Sequence, residues 1–162
     1  MLEFITFSLE ERLFGISLPQ LNKVIRAVAV TNVPDADGIF HGVFNYHGEV
    51  MPVINLRKRF SMPSKEISIS DHFLIVDSGK HTFAIVVDKV GEVKKIAPDE
   101  ISEIELSSSF DDNAKKKGSK MNSFLRSENG IIILYDLEAL INSEIEIQLE
   151  KLTEILKKED SI

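Results

Sequence analysis

Residues 42–60 read "GVFNYHGEVMPVINLRKRF", two apolar runs folded about a polar tip and ending in three cations. Gly48 supplies a positive φ at low cost, so Tyr46-His47-Gly48-Glu49 reads as a hairpin turn with His47 at its tip. Pro52 removes one ladder donor, which assigns the second strand to an edge or a bulge. Leu56 to Phe60 then suits a short helix.

Working outward toward the N-terminus, Ile5, Phe7 and Leu9 alternate with Thr6 and Ser8, the period of a half-buried strand. Glu10 and Glu11 turn the chain, and Leu13 to Leu18 returns as a second hairpin arm. Pro19 fits the first turn of a short helix over 19–23, followed by a β-rich run from Val24 to Val33. Pro34, Asp35, Ala36, Asp37 and Gly38 close it.

Toward the C-terminus, "SMPSKEISIS" (61–70) separates this half from a second β-rich half. There His72 to Asp77, Lys80 to Val90 and Glu92 to Ile96 read as three strands, the first two joined through Ser78 and Gly79. Residues 107–120, "SSSFDDNAKKKGSK", read as a surface loop. A last strand over Ile131 to Tyr135 leads to Asp136 as a helix N-cap. Then come Leu137, Leu140, Ile141, Ile145, Leu149, Leu152 and Leu156 at spacings of three and four, with a break expected near Asn142. The stripe reads as core-facing as far as Ile141, leaving residues 145–156 to pair with a partner helix. Many short strands, without intervening helices of about 10 to 15 residues, argue against a parallel βαβ sheet and favour antiparallel barrels.

The 162 residues allow one sizeable core, and 43% hydrophobic with 28% charged residues is ordinary for a globular chain. A formal net charge of -7 opposes nonspecific attraction to nucleic acid or anionic lipid, which need a basic field. With no cysteine, disulfides, thiolate zinc sites and thiol nucleophiles are excluded. No stretch approaches the ~18 to 20 apolar residues of a membrane span, so the expected location is the cytoplasm, without direct membrane insertion.

Candidate catalytic chemistry is sparse. The "DADG" of Asp35 to Gly38 fits a calcium loop poorly, because the loop's first and twelfth positions would fall on Val33 and Phe44. His41 and His47 have equal strand parity, yet a third metal donor is missing at short spacing. His72 and His81 lie beside polar turns. There is no phosphate-binding glycine loop, no nucleophile elbow and no histidine-carboxylate metal helix. Lys115 to Lys117 reads as a solvated run. The expectation is a protein that is not an enzyme and carries no cofactor and no metal.

Taken together in this order, "FITFSLEERLFGISL", "VTNVPDADGIFHGVFNYHGEVMPVINLRKRF", "FAIVVDKVGEVKKIAPDEI" and "IIILYDLEALINSE" resemble the CheW family of bacterial chemotaxis coupling proteins. The resemblance spans about residues 3–142, which leaves 143–162 as a C-terminal helical extension. It implies an all-β fold of two small SH3-like antiparallel β-barrels on a shared hydrophobic core, here divided near 61–70. It also implies an adaptor between the cytoplasmic tip of a methyl-accepting chemoreceptor and the regulatory domain of the histidine kinase CheA, compatible with ring assembly. Carried over by position, the receptor side comprises Leu21, Gly42 and His47, and the kinase side Phe73, Ala84 and Val90. Arg57 matches a frequent family arginine and is open between an interface role and a structural one. For Lys58 and Arg59, a solvated surface and local pairing are equally good readings, since exposed ion pairs contribute only about 0 to 1 kcal/mol.

The departures from the family pattern fall mainly on the receptor side. Asn45-Tyr46-His47-Gly48 stands where Asn-Leu-Arg-Gly is usual, so a permanent forked cation becomes a mostly neutral imidazole. Lys23 stands where an acidic residue is common, and His41 where a lysine is. "SKMNSFLRSENG" replaces the glycine-bearing segment before the last strand. Two alternatives follow: a diverged scaffold of another signalling array, or a small β-barrel ligand-binding protein.

Overall fold

Strands β1 (Leu2–Leu9) and β2 (Arg12–Ser17) form the first hairpin, with Ile5, Phe7 and Leu9 turned inward as their alternation requires. The structure is a computed structural model describing residues 1–33, 38–103, 123–128, 130–141 and 143–160, the last five without their side chains. The acidic turn at Asp35 to Asp37 and the lysine loop at 107–120 lie outside the described residues. A 3-10 turn at Leu18–Gln20, shorter than the helix expected over 19–23, leads directly into β3 (Leu21–Arg26).

The stretch quoted at the outset forms β4 (Phe40–Tyr46), β5 (Glu49–Ile54) and the single-turn helix α1 (Leu56–Arg59). His47 (φ 52°) and Gly48 (φ 86°) make the two-residue turn, and the Asn45 carboxamide oxygen accepts the Gly48 N–H at 2.8 Å. Asn55 caps α1 by accepting the Lys58 N–H. Then follow β6 (His72–Asp77), β7 (Thr82–Val87), β8 (Lys89–Ile96), β9 (Ser102–Glu103), β10 (Ser123–Ser127), β11 (Gly130–Leu134), α2 (Leu137–Leu140) and α3 (Ser143–Asp160). The break between β7 and β8 falls not at Gly91 but at Asp88, whose backbone N–H donates to the Ser8 carbonyl of the other sheet at 3.0 Å. Asp136 caps α2 through the Glu138 N–H, as the sequence suggests.

Among the described residues the strands form two sheets, in the orders β8-β1-β2-β11-β10-β9 and β3-β6-β7-β5-β4. The fold is mainly β as expected, with three corrections. The sheets are open rather than closed barrels. The five-stranded sheet comes nearest to closing, where Thr31 and Val43 exchange backbone hydrogen bonds at 2.8 and 2.9 Å, but that bridge is one residue long. Pairing is not wholly antiparallel, since β5 lies parallel to β7 and β11 parallel to β2. Nor does the molecule divide at 61–70, because strands on either side of that stretch, β5 and β7, are neighbours in one sheet. The crossings between sheets lie instead around residues 18–20 and at Asp88.

Pro52 is accommodated by this arrangement. Its partner Val43 directs both backbone polar groups toward Thr31, away from β5, so Pro52 faces away from β4 as well. On that side, pairing with β7 begins only at Val53.

One large apolar cluster joins the sheets, combining Phe7, Leu9 and Phe14 with Ile54, Leu56, Leu74, Phe83 and Leu137. A smaller one, Phe44, Met51, Val53, Phe73, Ile75 and Ala84, belongs to the five-stranded sheet alone. The C-terminal stripe does not end at Ile141. Ile145, Leu149 and Leu152 are only 2–3% exposed and enter the large cluster, so this segment pairs with its own body rather than standing free for a partner helix.

Candidate functional site

The cations that end the quoted stretch anchor one sheet to the other. Arg57, 9% exposed, leaves α1 and donates from Nη1 to Glu10 Oε1 at 2.8 Å, and from Nη2 to both carboxylate oxygens of Asp88 at 3.0 and 2.8 Å. Glu10 lies in the β1–β2 turn, and its backbone N–H donates to Asp88 Oδ2 at 2.7 Å. One planar guanidinium thus holds α1, the first hairpin and the β7–β8 crossing in fixed relation, a task suited to its forked donors. Burial works against the Arg57 charge, but the hydrogen bonds to Asp88 and Glu10 outweigh it and raise its pKa. Burial likewise acts to raise the Asp88 pKa, yet the Glu10 N–H and Arg57 prevail and hold it below the ordinary carboxylate value.

Arg59 makes a second anchor. Its Nε and Nη2 donate to the carbonyls of Leu140 and Ala139 at 3.1 and 3.2 Å, satisfying acceptors at the end of α2. Phe60 makes a third, stacking on Phe14 at 5.1 Å and meeting Tyr135 at 4.8 Å, while Phe14 stacks on Phe7 at 5.6 Å. Arg57 is therefore ion-paired within its own fold, and Arg59 is paired with backbone carbonyls.

Beside Arg57 a cavity of about 10 Å³, room for roughly one water molecule, is lined by His41, Asn55, Lys65, Asp71 and Asp88 among others. Asp71, 3% exposed, accepts from Lys65 Nζ at 2.7 Å and from the Ser68 N–H at 2.8 Å, which ties residues 65–71 over this place. Burial lowers the His41 pKa, with Asp71 opposing and Lys65 reinforcing. His41 does not share a face with His47: a bulge between Phe40 and Gly42 breaks the period-two relation. Among the described residues no three potential metal ligands converge.

The sequence-derived receptor residues are spread over the five-stranded sheet. Leu21 is half-buried against the large cluster, and His47 is exposed at its turn, its ring 4.4 Å from that of Tyr46. Gly42 is buried at φ 146°, and a Cβ there would run into the Thr31 carbonyl oxygen. Its close backbone approach is therefore to its own chain, at the bridge that nearly closes the sheet.

The kinase residues are not brought together. Phe73 and Ala84 are 0% exposed inside the small cluster, while Val90 is half-buried on β8 in the other sheet. As contact residues Phe73 and Ala84 are corrected, since both face inward and present no surface. What is exposed nearby is Val24 (36%) on β3, Val28 (45%) just beyond it and Val50 (40%) on β5. Val24 adjoins Ile25 and Val28 adjoins Ala27, both partly buried against the small cluster, and Val50 adjoins its buried member Met51. Sequence reasoning missed these valines; for Val24 and Val28 the available signal was the apolar stretch from Val24 to Val30, interrupted only by Arg26, which has more apolar residues than one face can bury.

Comparison with known proteins agrees with this architecture. The CheW-like domain family model matches residues 3–145. A chemotaxis protein CheW of Bacillus subtilis is 25% identical over 142 residues, 88% of each chain, and one of Treponema pallidum is 26% identical over 103 residues, 61% of each. The match thus spans less than two thirds of the Treponema protein. The solved structure of the scaffolding protein TtCheW from Thermoanaerobacter tengcongensis superposes with a TM-score of 0.73 at 25% identity, covering 88% of this chain and 94% of that one. With the family model matched along residues 3–145 and the two-sheet fold shared with that scaffolding protein, the chain belongs to the CheW-like domain family.

Proposed function

We propose that this protein is a coupling adaptor of chemotaxis signalling, which holds a chemoreceptor's cytoplasmic tip and the regulatory domain of the kinase CheA together at the cytoplasmic face of receptor arrays. It makes and breaks no covalent bond. The observation that carries this reading is the family match along residues 3–145. The most strongly tied charges support it, because Arg57 and Asp88 pair with each other at the seam between sheets.

The receptor side is assigned to Leu21 and His47, with Gly42 keeping the intervening backbone close. The kinase side is assigned to the exposed Val24, Val28 and Val50, which neighbour small-cluster residues along the chain. Apolar residues at the rim of a packed cluster are the material of binding hot spots. Size-exclusion chromatography of the full chain with a receptor cytoplasmic fragment and a CheA regulatory domain is expected to yield a ternary complex. Folded protein that binds neither would overturn the proposal. A change of Val28 to Glu should remove the kinase domain alone, and of Leu21 to Glu the receptor fragment alone.

A further inference from the structure

Four strands stand at the ends of the two sheets, and three of them are blunted as edges. β9 is two residues long. β8 carries Lys89, Lys94 and Lys95 with a bulge opposite Thr6, and β4 is met on its outer side by Thr31, which exchanges hydrogen bonds with Val43. Short length, lysines, bulges and a covering segment are the usual defences of an exposed edge. On β3 the bulge lies between Leu21 and Lys23, ahead of a stretch that pairs with β6 in regular register as far as Arg26. Ala27, next in that register, donates its N–H to the Asp71 carbonyl at 3.0 Å. Backbone groups alternate between the two sides of an antiparallel strand, so Ile25 also turns its groups toward β6, while Val24, Arg26 and Val28 turn theirs to the free side. Among the described residues nothing pairs with those outward groups. Lys23 and Arg26 are exposed there, and among the described residues neither enters an ion pair.

We propose that the free edge of β3 holds the kinase-side partner by strand addition, taking an extended acidic segment of that protein as a sixth strand of the five-stranded sheet. This rests on the kinase-side reading, whose Val24 and Val28 border the same edge, and adds to it the way the partner is held. In strand addition the backbone hydrogen bonds supply affinity and the alternate side chains supply specificity. The outward groups of Val24, Arg26 and Val28 are the donors and acceptors for it. Val24 and Arg26 share one face of the strand, so the added segment sets an apolar side chain beside Val24 and a carboxylate two positions away beside Arg26. A second carboxylate, on the opposite face, meets Lys23. Two unpaired cations on a chain of net charge -7 select for such an acidic segment. They also oppose a second copy of β3, which would bring its own Lys23 and Arg26 to the same narrow edge.

Residue-resolved amide exchange by NMR, on the unmodified full chain with and without the CheA regulatory domain, reads the proposal directly. In the free protein the Val24 and Arg26 amides are expected to exchange faster than those of Ile25 and Ala27, and in the complex to slow to the same rate as these. Binding that leaves both amides unprotected would overturn strand addition and leave the kinase-side reading standing; folded protein that does not bind would remove both. Two substitutions then separate backbone from charge. Arg26→Thr keeps the N–H and removes the cation, whereas Arg26→Pro removes both yet takes no bond from the β3–β6 ladder, because that N–H faces outward. By calorimetry Arg26→Thr is expected to lower the affinity and flatten its salt dependence, and Arg26→Pro to lower it about fivefold further, the factor for one lost hydrogen bond. Equal affinities for the two variants, with β6 amides protected in both, would overturn the proposal.

Discussion

The two sheets are assembled from the chain in opposite ways. The five-stranded sheet takes β3 to β7, one continuous stretch, and keeps a private cluster around Phe44, Phe73 and Ala84. The six-stranded sheet is gathered from both ends of the chain, with β8 at its edge. One is therefore organised by near neighbours, whereas the other depends on crossings, and the polar network of Arg57, Glu10 and Asp88 lies at a crossing. Interior packing can specify a sheet and join it to another, and the directional contacts at the seam add a fixed orientation to that packing. The exposed Val24 and Val50 belong to the locally organised sheet, and the buried Arg57 with its partner Asp88 belongs to the seam.

The heaviest blow to this contrast is Phe73→Ala, which should lower stability by about 3–5 kcal/mol, read as a shift in the urea midpoint. A cost under about 1 kcal/mol would mean that the private cluster is not a packed core. Next comes Arg57→Ala. It should destabilise by about 3 kcal/mol, the low end for a broken buried pair because Glu10 is half exposed. Arg57→Lys should recover only part of that loss, since a point charge cannot hold both carboxylates. Val28→Glu separates rim from core: stability should stay within about 0.5 kcal/mol, while kinase-domain affinity by calorimetry falls at least about tenfold.

The smallest effect concerns pH. His41 has a lowered pKa, so the unfolded chain binds more protons than the folded one as pH falls through the ordinary histidine value. Stability should therefore decline from about pH 6.5 downward and level off below the folded pKa. His41→Gln should flatten that slope in urea midpoints measured between neutral and mildly acid pH. Asp88 acts further down. Its depressed pKa contributes stability above the ordinary carboxylate value, and that contribution is lost as pH falls through the folded value.

Strands β1, β2, β4, β5, β6 and β11 and the His47-Gly48 turn were legible in the sequence because period-two alternation and a glycine with positive φ act locally, whereas β9 and β10 were not read. So was Asp136 as a cap. The division at 61–70 was misplaced because polarity marks a connection without saying which strands it joins. The parallel neighbours β5 and β7 meet across about thirty residues, a distance no local pattern reports. The kinase residues failed for a related reason. Phe73 and Ala84 are apolar residues of a strand and its neighbour, and alternation alone does not tell which face is inside when both sides of a strand are apolar. Arg57 was legible as an ordered cation, but its two carboxylate partners lie 47 and 31 residues away in the chain.

The parallel pairing of β2 with β11, where Leu13 meets Ile132, has a consequence for how the protein is born. On a ribosome adding about 5–20 residues per second, the first hairpin waits on the order of ten seconds for the strand that completes its edge. Throughout that interval Phe14 and Ile16 lack their final shelter, so the nascent chain leaves an apolar hairpin edge unpaired until β11 has emerged. The five-stranded sheet can form long before, giving the growing polypeptide a finished half against which the six-stranded sheet is later assembled.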